Sequence, residues 1–351
     1  MNKETPAQRT LAPRFATLGA VLIGATLLAG CGSSDDETLN LYSARKEALI
    51  KPLLDRFTEE SGIEVNLLTA KAGALLSRLE NEGRNTPADV LITVDAGNLH
   101  QAKEADVLQS LESEKLDSAI PETYRDPDGH WYGLSQRARV IFTHRDRVDE
   151  GAIETYADLA DPEWEGRICI RSSENIYNQS LVASLIAHEG EDTTEEWAND
   201  LVNNMARSPQ GGDRDQLRAV ASGECDVAVA NTYYYGAMLN GSEDDREVAE
   251  SLRLVWPNQE GRGAHVNISG AGMVAASDKD DAVREFIEFL VREDSQEWYA
   301  EVNNEHPVRP GVPMSDTLAE WGDFKADDLS LATLGELNAD AVRLMDRAGW
   351  R

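Results

Sequence analysis

Short apolar runs alternate with amphipathic stretches along this chain, in two successive series. In the first, Leu39–Tyr42 reads as a strand. It leads into a helix whose Ile50, Leu53, Leu54 and Phe57 recur at the i, i+3, i+4, i+7 spacing of one helical face. Gly62 ends that helix, Ile63–Leu68 is the next strand, and a further helix surrounds Leu75–Leu79. Val90–Val94 is continuously apolar, as expected of a strand covered on both faces, and Asn98–Ala105 returns as helix. This order predicts a doubly wound sheet with right-handed crossovers. The pattern then restarts, with strands at Arg139–Thr143, Arg167–Arg171, Asp226–Ala230 and His265–Ser269. Helices are predicted over Ile176–His188, Thr194–Asn204, Asp280–Val291 and Leu331–Arg347. Two α/β units, the second inserted into the first, account for the length.

Ahead of the first strand lies a different kind of segment. Lys3, Arg9 and Arg14 precede an uncharged run, Phe15–Gly30, shorter than the ~20 residues a membrane-spanning helix needs. The run ends in Leu28-Ala29-Gly30-Cys31, similar to the bacterial lipobox, where cleavage before the cysteine accompanies lipid attachment to its sulfur. Residues 1–30 therefore read as a lipoprotein signal peptide, with an uncleaved anchor helix as the alternative. Residues 31–38 read as a polar tether. The expected location is periplasmic or cell-surface, lipid-anchored at Cys31, with no other membrane contact.

Of 33 Lys/Arg and 64 Asp/Glu, three basic and one acidic residue lie in the leader. The remaining chain carries 30 against 63, a formal net charge of −33, which repels nucleic acid and anionic lipid. The acidic residues are dispersed rather than spaced as a metal loop, so they read first as a solubilising surface. Cys169 and Cys225 are the other two cysteines. In an exported chain they can pair, and two buried thiols are the alternative.

Candidate chemistry follows from the rule that open α/β sheets bind ligands beyond the carboxyl ends of their strands. Those ends carry Tyr42 and Arg45, then Asp95, then Tyr177, then Tyr233, Tyr234 and Tyr235, so five of the nine tyrosines sit there. Three consecutive tyrosines would fan out whether in a strand or in a first helical turn, so at least one faces the cleft. Phenolate is a hard anionic oxygen donor suited to a hard cation such as Fe(III), which can displace the phenolic proton. An aromatic lining for a sugar or an organic cation, or a plain cleft wall, fits the tyrosines alone equally well.

The run Asn175-Ile176-Tyr177-Asn178-Gln179-Ser180, followed by Asn231-Thr232-Tyr233-Tyr234-Tyr235, resembles the periplasmic ferric-binding proteins of ABC iron importers, the bacterial transferrins. Leu41–Arg45, Pro87–Val90, Thr93–Asp95 and Gly133–Arg139 match the same family in order. The resemblance implies a two-lobed clamshell closing about strands near Arg137–Phe142 and His265–Gly270. One lobe would comprise residues 39–137 and 265–310, the other 138–264 and 311–351. It also implies Fe(III) ligation by Tyr177, Tyr233 and Tyr234, with Tyr235 off the metal, and delivery to an ABC importer permease by a monomer. Tyr42, Asp95 and Tyr235 are further candidates for the cleft. Where many relatives place a first-lobe histidine or tyrosine, this chain has Lys46 and Glu47. A carbonate or bicarbonate held by Arg137 and Arg45 is then expected to complete the metal sphere, with water as the alternative.

The rival readings are the same fold binding a polyamine, thiamine or phosphonate, or a secreted hydrolase. Against an enzyme, no nucleophile stands at motif spacing from a base: His-Glu-x-x-His, Gly-x-Ser-x-Gly and the phosphate-binding Gly-x-x-x-x-Gly-Lys are all missing from the sequence.

Overall fold

A computed structural model of the chain describes residues 38–351. The leader, the tether and Cys31 lie outside the described residues, apart from Thr38, which opens the first strand. Nine strands form one curled mixed sheet: β1 (Thr38–Ser43), β2 (Glu64–Thr69), β3 (Val90–Val94), β4 (Leu108–Gln109), β5 (Tyr132–His144), β6 (Ile168–Cys169), β7 (Val227–Asn231), β8 (Leu252–Val255) and β9 (Val266–Val274). The order is β2-β1-β3-β9-β5-β7-β6, with β4 beside β9 and β8 beside β5.

The first lobe begins as predicted. β1 pairs in parallel with β2 and β3, and helices Lys51–Ser61 and Ala72–Glu82 make the crossovers. The face read from sequence is the one buried: Leu53, Leu54 and Phe57 lie in the core, where Phe57 meets Phe286 and Phe289 edge-on at 5.0 and 5.3 Å. β9 then joins β3 antiparallel and turns the sheet towards β5.

β5 carries the two lobes. It is buried along all 13 residues, far longer than the five-residue strand expected at Arg139–Thr143. Its first half pairs with β9 as far as Ala138↔Val266, and its second half pairs with β7 from Arg139↔Asn231 onward. The partner changes between Ala138 and Arg139, inside the segment proposed from sequence as the crossing. The expected length was short because Ser135, Gln136, Arg137 and Arg139 interrupt the apolar pattern. All four are buried nonetheless.

Two other expectations change. The C-terminal helix is two helices, Leu331–Glu336 and Asn338–Arg347. Gly335 explains the tight approach of the first, because a Cβ there would fall 2.1 Å from the His100 side chain. The Arg167–Arg171 strand shrinks to Ile168–Cys169, paired with Val227 and Ala228. Helices Asp213–Ser222 and Thr232–Leu239, beyond those the periodicity predicts, flank β7.

A disulfide joins Cys169 to Cys225, whose Cα atoms are 5.9 Å apart across 56 positions of sequence. Closing such a loop stabilises mainly by restricting the unfolded chain, by about 4 kcal/mol. We expect thiol titration of unfolded, unreduced protein to find neither cysteine free. Cys169→Ser with Cys225→Ser should lower unfolding stability by a comparable amount, read by denaturant titration. A free thiol at either position would contradict the bridge.

Candidate metal centre

β6 and β7 run parallel, so their carboxyl ends open on the same side. Beyond each end a helix begins: Ile176–Glu189 after β6 and Thr232–Leu239 directly after β7. Tyr177 is the second residue of the first helix, and Tyr233 and Tyr234 are the second and third of the other. Helical side chains lean towards the N-terminus, so these phenols lean back over the strand ends. Both first turns also present the positive end of the helix, which favours negative charge.

The geometry brings the phenols together. The Tyr233 hydroxyl donates to the Tyr177 hydroxyl at 3.3 Å, and the Tyr233 and Tyr234 rings lie 4.2 Å apart at 35°. Burial, reinforced by Tyr177 and Tyr234, holds the Tyr233 pKa well above its ordinary value, against the pull of Arg137. Burial, then Tyr177 and Asp213, pushes Tyr234 up to about 12, with Arg171 opposing. Without a cation Tyr233 and Tyr234 therefore keep their protons. A multivalent cation would reverse that balance.

Tyr235 takes no part. One residue turns a helix by about 100°, so the third tyrosine points away from the cluster. It is buried against Phe142 at 5.0 Å and Trp321 at 5.8 Å. The expectation that Tyr235 lines the cleft is thus corrected. Tyr42 is corrected too: it packs with Leu75 and Leu79 on the far face of the sheet, beneath Arg78, and its hydroxyl donates to Glu82 at 3.0 Å. Strand alternation sends it there, opposite Leu41.

Asp95 does reach the neighbourhood. It follows β3 directly at φ 81°, a sparsely populated conformation for a residue with a side chain, and caps helix Ala96–Glu104 by accepting from the Gly97 amide at 2.9 Å. The Ser180 hydroxyl, from the Tyr177 helix, donates to the same oxygen at 2.6 Å. The other carboxylate oxygen is buried without a protein partner. Burial raises the Asp95 pKa, and Arg137 counters it.

The two arginines singled out from sequence differ. Arg137, on β5, donates Nη1 to Ser269 Oγ at 3.0 Å and lies 5.5 Å from the Tyr177 ring centroid. Its Nε and Nη2 are buried with no protein acceptor. Arg45 is instead engaged by Glu305 at 2.9 Å and by Ser269 and Ser135, and Ser135 also donates to Glu305 at 2.6 Å. Its charge is already matched. Lys46 is exposed.

Sequence reasoning missed Arg171 and Asp213. Arg171 Cζ lies 5.7 Å from the Tyr177 ring centroid, and its Nη1 reaches Asp213 at 3.5 Å. A basic residue closing a strand just before a tyrosine motif was the available signal for Arg171. Nothing local marked Asp213. Elsewhere, Asp126, Asp128 and His130 bring three ligand-type atoms together, but the Lys103 ammonium already bridges the two carboxylates at 2.9 and 2.7 Å.

The whole described chain also resembles known proteins. Residues 85–326 match the model of the bacterial extracellular solute-binding protein family. The chain is similar to iron uptake protein A1 of Synechocystis, 46% identical over 98% of both chains. Among solved structures it is similar to a Trichodesmium protein in complex with iron and citrate ligands, with 45% identity, TM-score 0.87, and coverage of 90% of this chain and all of that one. It is likewise similar to a ferric binding protein from Campylobacter jejuni, with 39% identity, TM-score 0.85, and coverage of 89% of this chain and all of that one. With its paired-tyrosine cluster beyond the ends of β6 and β7, the chain belongs to the bacterial extracellular solute-binding proteins, in their periplasmic ferric iron-binding group.

Proposed function

We infer that this protein captures Fe(III) through Tyr177, Tyr233 and Tyr234 between its two lobes and delivers it to the permease of an ABC importer. The observation that carries this reading is the convergence of Tyr177 and Tyr233, 3.3 Å apart, with Tyr234 stacked beside them. The Synechocystis relative is an iron uptake protein, and the Trichodesmium structure is a complex with iron and citrate ligands. In this reading the lobes are residues 39–137 with 265–310, and 138–264 with 311–351, closing about β5. A lipid on Cys31 would tether the monomer outside the cytoplasm.

Three phenolates neutralise one ferric ion and fill three of about six positions of an octahedral oxygen shell. A small oxyanion fills further positions of the shell, and its charge needs a cationic partner. Arg137 offers two buried, unengaged donor nitrogens beside Tyr177, whereas Arg45 is held by Glu305. The anion role therefore falls to Arg137, with Arg45 positioning Ser269 beneath it. Carbonate fits the guanidinium fork, and the citrate of the Trichodesmium complex is the alternative.

Phenolate-to-Fe(III) charge transfer absorbs in the visible, so protein given ferric citrate should colour. We expect Tyr177→Phe, Tyr233→Phe and Tyr234→Phe each to bleach or shift that band and weaken iron retention by roughly 100-fold or more, exceeding the 10–100-fold typical of residues that only support a ligand. Tyr235→Phe should leave the band in place. Equal effects at all three adjacent tyrosines would exclude the pair assigned here.

Because burial and mutual repulsion raise the pKa of Tyr233 and Tyr234, these two phenols are protonated at neutral pH when no metal is bound. Binding must expel those protons, so affinity falls as pH falls, by more than about tenfold per pH unit. Competition with a chelator at pH 8, 7 and 6 measures this, and a flat response would rule it out.

Bicarbonate-free buffer, and separately Arg137→Ala, should each weaken iron binding, with bicarbonate restoring the wild type alone. Restoration by citrate but not bicarbonate would reassign the anion. Indifference to both anions and to Arg137→Ala would leave water as the remaining ligand.

A further inference from the structure

Behind the tyrosines lies a closed group of buried polar side chains that the metal reading does not use. Arg139, from β5, donates Nε and Nη2 to Asn178 Oδ1 at 3.0 and 2.6 Å, and Nη1 to Asn231 Oδ1 at 2.9 Å. Its Nη1 also meets Asp213 Oδ2 at 3.3 Å, and the same carboxylate oxygen accepts from the Asn231 amide at 3.0 Å. The other oxygen of Asp213 faces Arg171 at 3.5 Å. Arg139, Asp213, Asn178 and Asn231 are all at most 2% exposed.

The two asparagines place this group. Asn178 follows Tyr177 in one helix, and Asn231 immediately precedes the helix that carries Tyr233 and Tyr234. Asn231 occupies a capping position, where its side chain would ordinarily accept from a first-turn amide and stabilise the helix by about 1 kcal/mol. It makes no such bond here; its oxygen is turned to Arg139 instead. Asn178 uses its amide nitrogen on the carbonyls of Arg171 and Ser172, which fixes the loop leading into the Tyr177 helix. One guanidinium thus spans both tyrosine-bearing helix starts, and one carboxylate holds that guanidinium and Arg171 together.

A buried ion pair is weak evidence for stability, since a packed apolar pair of similar volume often serves as well. What an apolar pair cannot supply is a fixed fork with two acceptors at set separation. We propose that Asp213, acting through Arg139, is a positioning residue that sets the spacing of the Tyr177 and Tyr233/Tyr234 helix starts and so the geometry of the iron they bind. This rests on the tyrosine-ligand reading above.

The test uses the full chain loaded from ferric citrate. Its main readout is the charge-transfer band at saturating iron, whose position does not depend on how much of the protein is folded or loaded. In Asp213→Asn the band should shift and iron retention against a chelator should fall about 10–100-fold, the range typical when a residue supporting a metal ligand is removed. Arg139→Lys keeps the charge but cannot reach both asparagines, and should shift the band likewise. Should Asp213→Asn not fold, Asn178→Ala removes one acceptor of the fork and must shift the band in its place. An unmoved band and unchanged retention in the folded variants overturn the proposal. Tyr177→Phe run in parallel separates the two readings. If it loses iron while Asp213→Asn does not, only the positioning role falls; if it too keeps iron and colour, the tyrosine reading falls and this inference with it.

Discussion

The period of two along β5 organises everything around the candidate site. Ser135, Arg137 and Arg139 are alternate residues, so one face of a single buried strand presents all three. Ser135 meets Glu305 and Arg45, Arg137 meets Ser269 beside Tyr177, and Arg139 meets Asn178, Asn231 and Asp213. The strand changes partner between the second and third of these, from β9 to β7. The polar spine of the site is therefore also the seam between the lobes, and a movement about β5 would alter how Arg137 stands to the phenols.

Charge explains why so many arginines gather here in so acidic a protein. Phenols resist ionisation when buried beside one another, and burial is the larger cause of the raised values at Tyr233 and Tyr234. Arg137 and Arg171 oppose that rise without abolishing it. In the proposed function, a trivalent ion supplies the rest. Three phenolates then cancel the charge of one Fe(III), and the unengaged donors of Arg137 remain to accept an anion. Asp213 and Glu305 keep Arg139 and Arg45 from adding further positive charge that would repel the metal.

The elements that hold the tyrosines are anchored from both directions. The Cys169–Cys225 bridge ties the end of β6 to the segment just before β7, which holds the strands that aim the two helices together. On the other side, Ser180 bonds to Asp95 at the end of β3, linking the Tyr177 helix to the first lobe. The strained backbone of Asp95 sits at that contact, where a carboxylate oxygen is left without a protein partner.

Sequence periodicity alone determined the α/β class, the helix face around Phe57, the buried runs of β3 and β7, and the placement of tyrosines at strand ends. Each of these is encoded locally, by side-chain spacing within a few residues. The tyrosine motifs, read with the family they resemble, also marked which phenols would meet and which would not. The length of β5 escaped, because buried serine and arginine look like surface in a hydrophobicity pattern; only their partners on other elements make burial tolerable. For the same reason Arg45 looked available until Glu305, 260 residues away in sequence, matched its charge. Tyr42 looked like a cleft residue until the sheet showed which of its faces turns to the helices. Asp213 was invisible, since its role consists wholly of contacts to Arg139, Arg171 and Asn231. The chain's local pattern decided which elements form and which ends carry chemistry, while satisfaction of buried charge, a long-range property, decided which side chains remain free to act.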